Sequence, residues 1–143
     1  MKLWRESQEE VRIVRFDREM ARSILKMIEV RMKALELMDR REFASLVVED
    51  YYEIIKEAIT ALMSIDGYKT LSHEVLIGYL KEFYPQFSES EIALVDQLRQ
   101  FRHKIAYRGF FIPPDYIDRN ETRIKEVTLR LLHILKDRLE AKK

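Results

Sequence analysis

Residues 88–109 read SESEIALVDQLRQFRHKIAYRG. Ser88 and Glu91 open the stretch as a capping box, in which the serine oxygen accepts from an orphan amide and the glutamate reaches back to the cap. Leu94, Leu98, Phe101 and Ile105 follow at three- and four-residue spacing, one face of a helix at about 100° per residue. Gly109 ends the run, since glycine takes the left-handed conformation that closes many helices. The stretch therefore predicts a helix from about Glu89 to Arg108 with a narrow apolar face.

The same period runs outward in both directions, and no alternating stretch competes with it. A first helix is expected from about Glu6 to Met38, with Val14, Ala21, Ile24, Leu25, Ile28, Met32 and Leu35 inward. Asp39 and Glu42 read as a second capping box, opening a helix from about Arg40 to Ile65. Its wide apolar face (Phe43, Val47, Tyr51, Ile54, Ile55, Ala58, Leu62) predicts the most buried helix. Asp66-Gly67 stops it. A third helix starts at Thr70 or Ser72 and ends near Tyr84-Pro85, because proline disfavours helical geometry at the residue before it. Asp118 and Glu121 read as a further box, with Ile124, Val127, Leu131, Ile134 and Leu135 inward to about Leu139. Short connections predict an all-α, mainly antiparallel up-and-down bundle of five helices, with residues 1–143 forming a single domain.

Composition agrees. The 143 residues are 47% hydrophobic and 36% charged, and 26 Lys+Arg against 25 Asp+Glu leave a net charge of +1, which excludes disorder driven by charge. Three Gly and three Pro are too few for a chain of tight-turned strands. The absence of cysteine excludes disulfides, thiolate metal sites and thiol catalysis. No run of about 20 apolar residues and no signal-peptide pattern occurs, so a cytoplasmic location without membrane attachment is expected. The Glu, Lys and Arg content with a single Asn is thermophile-like.

Cofactor chemistry finds no footing. His73, His103 and His133 have no Glu three residues before them, and there is no His-Glu-x-x-His, phosphate loop or Gly-x-Ser-x-Gly elbow. No metal and no cofactor are expected. His133 falls opposite the apolar stripe of its helix and reads as a solvated residue.

The chemistry concentrates in the fourth helix. Arg99, Arg102, His103, Lys104 and Arg108 place five basic or titratable groups within ten residues, a patch able to hold a phosphodiester. Arg102 lies about 40° beyond Leu98, at the margin of the core face, so it is partly desolvated and requires an acceptor. Either an internal salt bridge or a bound phosphate would supply one. Asp96, Arg99, His103 and Tyr107 share a polar flank, with His103 and Tyr107 stacked at i, i+4. Two other stripes read mainly as solvated faces. Arg12, Arg15, Arg18, Arg22 and Lys26 form a basic track on the first helix. Glu42, Glu49, Asp50, Glu53 and Glu57 form an acidic one on the second. Tyr51, Tyr52, Tyr79 and Tyr84 read as core and edge.

Leu98-Arg99-x-x-Arg102-His103-Lys104-Ile105-Ala106-Tyr107-x-Gly109 resembles the fourth helix of the HEPN superfamily. The likeness extends to five helices of this length and to the Ser72-His73 start of the third. It implies an all-α domain that homodimerises, and a metal-independent ribonuclease of the kind found as the toxin beside a minimal nucleotidyltransferase. The family motif is Arg, four to six residues, then His. Arg102 matches its arginine and His103 the polar position after it. The family histidine falls on Tyr107, a departure, because a phenol with an ordinary pKa near 10 is a poor base at neutral pH. The resemblance thus implies an RNA-binding or interaction module with a degenerate ribonuclease motif. Alternatives are an active endoribonuclease using Arg102 and His103, and an accessory subunit of a small nucleotidyltransferase. Catalytic candidates are Arg102, His103 and Tyr107. Nucleic-acid contacts are Arg99, Arg102, Lys104 and Arg108, with His73 and Asp96 as accessory groups. The two-fold interface is expected at Phe101, Arg102 and Phe110-Phe111-Ile112.

Overall fold

A computed structural model describes residues 2–141; Met1, Lys142 and Lys143 of the expected 1–143 domain lie outside the described residues. Five helices carry the chain: α1 (Arg18–Glu36), α2 (Ala44–Asp66), α3 (His73–Phe83), α4 (Glu89–Arg108) and α5 (Pro114–Glu140). The all-α expectation holds, with one small addition. Two 3-10 turns (Trp4–Glu6 and Gln8–Glu10) lead into strand β1 (Val11–Ile13), which pairs antiparallel with β2 (Tyr68–Thr70) in the register Val11 to Thr70, Arg12 to Lys69 and Ile13 to Tyr68.

α2 is the central helix, packing against each of the other four. Its buried side chains include Val47, Tyr51, Ile54, Ile55, Ala58 and Leu62, the wide face expected of it. α1 turns Ala21, Ile28 and Leu35 inward, and α5 turns Ile124, Val127, Leu131 and Leu135 inward. Tyr51, Tyr52, Tyr79 and Tyr84 are all buried.

Local signals for helix ends were accurate. Ser88 and Glu91 form the full reciprocal box, and the Ser72 hydroxyl accepts from the Val75 amide. Gly67 and Gly109 close their helices at φ 86° and 62°. Three boundaries differ. The first helix starts at Arg18 rather than Glu6, so Val14 belongs to no helix. The amides of Val14 and Asp17 donate instead to the carbonyls of Gly67 and Ser64, and the Asp17 side chain caps α1 through the Met20 amide. Backbone partners at the end of α2 thus hold this segment extended. The second helix starts at Ala44 rather than Arg40, because Asp39 accepts from Arg41 and Glu42 amides in a turn over residues 40–43. The Asp118/Glu121 box does not form, because α5 begins earlier with Pro114 at its first position. Glu121 instead takes Arg40 at 2.7 Å and the Tyr51 hydroxyl at 2.7 Å.

The two charged stripes also change meaning. Arg12 sits on β1 and Arg15 follows it, so neither belongs to a helical track. Arg18 donates to the Arg138 carbonyl at the end of α5, and Arg22 pairs with Glu19. The acidic stripe is not an outer face: Glu49, Asp50, Glu53 and Glu57 are half-buried. Glu57 meets Arg31 at 3.0 Å and Glu53 meets Lys56 at 2.8 Å.

The first residues form a strap across α3. Trp4 is buried against Tyr68, Tyr79 and Phe83. Gly78 permits the crossing, since a Cβ there would run into the Lys2 carbonyl.

Candidate anion-binding site

α4 divides at Leu98. Ile92, Leu94, Val95 and Leu98 are buried, whereas no residue from Arg99 to Arg108 is. Phe101 and Ile105 remain half-buried, Phe101 stacking on Phe110 and meeting Tyr116 edge-on. The helix carries its basic run beyond the core, onto an edge beside α2 and the start of α3.

On that edge Asp96 holds Arg99 at 2.9 Å and accepts from Gln100 at 2.9 Å. Arg102 is half-buried, yet among the described residues it has no hydrogen bond and no ion pair. The internal salt bridge weighed for it does not form. His103 and Tyr107 do lie side by side, with ring centroids 4.7 Å apart, but the rings are tilted by 46° and both are exposed, Tyr107 by 70%. Lys104 lies over the Phe110 ring, and Arg108 is exposed. His133 is exposed and faces Asp137.

His73 is the first residue of α3, set there by the Ser72 cap. Its Nδ1 lies 3.0 Å from the hydroxyl of Tyr52 on α2. Tyr52 is buried, and burial pushes its hydroxyl well above the ordinary phenol range, so it keeps its proton. A buried hydroxyl needs an acceptor, and Nδ1 is the one at hand, which leaves the imidazole proton on Nε2. Burial lowers the His73 pKa, and the charges of Lys56, Arg102 and Arg99 lower it further, against Glu53. His73 is therefore neutral at pH 7 and offers a donor rather than a base. Burial pushes the Glu53 carboxyl up, but Lys56 bonds to it and holds it below its ordinary value.

α2, α3 and α4 thus bring Tyr52, His73, Arg99 and Arg102 into one electrostatic neighbourhood. Of the residues singled out from sequence, Arg99, Arg102, Asp96 and His73 meet here, while His103, Lys104, Tyr107 and Arg108 face outward along the exposed edge. Tyr52, Glu53 and Lys56 were not read as site residues. The one available signal was Tyr52 and Lys56 at i, i+4, the lysine being the single cation on a helix whose other charges are all acidic.

Below this edge the apolar link from α4 to α5 forms one wall of a cleft of about 680 Å³, lined by Phe43, Leu46, Ile105, Phe110, Phe111 and Pro113 among others. Phe111 is 82% exposed, and the Ile112 amide is anchored on the Ser45 hydroxyl at 2.7 Å. Among the described residues no helix is long and apolar enough to cross a membrane. The chain matches no protein-family model, no curated protein and no solved structure.

Proposed function

We propose that this chain is a HEPN-like, RNA-binding module of the cytoplasm in which Arg102 receives a phosphodiester, with the ribonuclease motif degenerate. One observation carries the reading: Arg102 is half-buried, and its side chain has no hydrogen bond and no ion pair among the described residues. A guanidinium at the margin of the core with no carboxylate bound to it is free to take an incoming anion. Arg99 and the Nε2–H of His73 add a second cation and a neutral donor. A phosphate is bound by donors, whereas cleavage requires a group that accepts a proton at neutral pH. The exposed Phe110-Phe111 segment and its cleft support a homodimer that doubles this edge across a two-fold axis.

The test is single-stranded RNA binding followed by fluorescence anisotropy across a salt series. Arg102→Ala should weaken binding about tenfold and flatten the salt slope by about one charge. Arg15→Ala and Arg22→Ala should leave both nearly unchanged, and a larger effect from that pair would move the site to the other end of the molecule. A metal-free cleavage assay belongs beside it. Little or no native cleavage is expected, with Tyr107→His raising it. Robust native cleavage lost in His103→Ala would establish the endoribonuclease reading instead. Binding to a small nucleotidyltransferase without affinity for RNA would establish the accessory-subunit reading.

A further inference from the structure

α1 has a second apolar line that the core does not use. Its inward residues Ala21, Ile28 and Leu35 are fully buried. On the far side lie Met20, Ser23, Met27, Val30, Ala34 and Leu37, all exposed; Met27 is 51%, Val30 60% and Leu37 88% exposed. These positions repeat at alternating spacings of three and four. Met20, Met27 and Ala34 stand seven apart, as do Ser23, Val30 and Leu37. At about 100° per residue they occupy an arc of about 100°, centred about 130° from the buried stripe. Single exposed apolar residues are ordinary on a protein surface, but a seam in heptad register over more than four turns is the pattern a partner helix reads.

The charges beside the seam say what kind of helix fits. Every carboxylate of α1 is engaged: Glu19 with Arg22, Glu29 with Lys136 and Glu36 with Lys125. Arg18 and Arg31 are engaged as well, with the Arg138 carbonyl and Glu57. Lys26 and Lys33, seven residues apart and flanking the seam, have no ion pair or hydrogen bond among the described residues. At its N-terminal end the seam runs into a cavity of about 450 Å³ between the β-ribbon and α2, which Met20 lines together with Met63, Leu71 and Leu76. Arg15 and Lys69 also line it, and their side chains too have no ion pair or hydrogen bond among the described residues. The whole strip is therefore apolar along its centre and supplied with free cations along its length.

We propose that the outer face of α1 is a docking surface for an acidic amphipathic helix of another protein, with its apolar residues in the seam and its carboxylates on Lys26 and Lys33. A second copy of this chain fits poorly, because a two-fold axis through the centre of α1 would bring Lys26 and Lys33 of both copies together. A membrane fits poorly, because Ser23 and Ala34 leave the strip narrow and shallow where insertion needs bulk. Small residues and methionines suit close, adaptable helix packing.

The experiment uses the full chain and a designed three-heptad peptide (about 21 residues) with Ala at a, Leu at d and Glu at the flanking positions. A Lys-flanked peptide of the same length, anionic vesicles and single-stranded RNA serve as comparators. The acidic peptide should bind saturably, at least tenfold tighter than the basic one. Val30→Glu should abolish binding with no change in the helical signal, since the side chain is exposed. Lys26→Glu with Lys33→Glu should invert the preference toward the basic peptide. The proposal is overturned by equal binding of both peptides, by no binding, or by binding that survives Val30→Glu. Vesicle partitioning lost in Val30→Glu would assign the face to lipid, and displacement of the peptide by RNA would assign it to nucleic acid. A change of oligomeric state in that variant would assign it to a second copy.

Discussion

Tyr51 and Tyr52 are neighbours on α2, and each serves an arginine site built from similar parts but with opposite outcomes. Tyr51 donates to Glu121, which also takes two nitrogens of Arg40, while Arg40 donates onward to the Leu35 and Met38 carbonyls. Every donor in that cluster finds its acceptor inside the chain. Tyr52 pairs with His73 Nδ1 instead, and Arg102 nearby has no side-chain acceptor among the described residues. The other end of α2 repeats the closed arrangement: Arg138 meets Asp66 at 2.6 Å and the Tyr84 hydroxyl at 2.6 Å, and Tyr79 donates to Asp66. The closed sites tie α2 to α1 and α5, whereas the open one leaves a donor-rich edge. The difference teaches that the two sites part over a carboxylate rather than over an arginine, and the proposed anion site rests on that difference.

The largest expected effect tests the closed side. Glu121→Gln leaves Arg40 with a weakened acceptor, and Glu121→Ala leaves Tyr51 with none and Arg40 with only the Leu35 and Met38 carbonyls. Urea denaturation should show a loss of about 2–3 kcal/mol for the alanine variant, below the range for fully buried pairs because the side chains are partly exposed. Burial alone would raise the Glu121 carboxyl, but Arg40 and Tyr51 hold it below its ordinary value. Its contribution is therefore present above the unfolded carboxyl pKa and is lost as pH falls through the lower folded value. Arg138→Ala should cost about 2 kcal/mol by the same measurement.

Arg102→Ala should show the opposite profile, with stability within about 0.5 kcal/mol of the native protein and RNA affinity reduced. A loss of stability as large as that of Arg138→Ala would break the comparison. Tyr52→Phe sharpens it. The imidazole loses the donor that stabilises its neutral form, at a cost of about 1 kcal/mol. An NMR titration of the His73 ring should find its pKa below the ordinary value in the native protein and higher in Tyr52→Phe. The sign for stability follows: a depressed histidine contributes fully above its unfolded pKa of about 6.5 and loses that contribution as pH falls through its folded value. The smallest effect belongs to Arg102→Ala in that titration, a modest upward move, since one of several neighbouring charges is removed.

What could be read from the sequence depended on how far apart the interacting residues lie. Ser72, Ser88, Glu91, Gly67 and Gly109 act within a few residues, and each ended or began a helix where expected. Residues 11–17 form no helix because their backbone partners, Tyr68 to Thr70, Gly67 and Ser64, are about fifty to sixty residues away. The Asp118/Glu121 box fails because Pro114 starts the helix a turn earlier, which leaves Glu121 to Arg40, 81 positions away. At the candidate site, periodicity placed Arg102 at the margin of the core correctly. No local pattern could show that the carboxylate it lacks is also missing in space, or that His73 arrives beside it from another helix.

The strap over α3 gives this molecule a built-in optical gauge. Trp4 is the only tryptophan, and its indole sits 5.1 Å from the Tyr68 ring and 5.4 Å from the Phe83 ring. Far-ultraviolet dichroism reports the five helices, while indole emission reports only whether the strap is seated. The strap also reaches the start of α3: Thr70 donates to the Glu10 carbonyl and accepts from the Ser72 amide, one residue before His73. A red shift of the emission at unchanged helicity would therefore register loss of the seat that orients His73, long before the bundle melts.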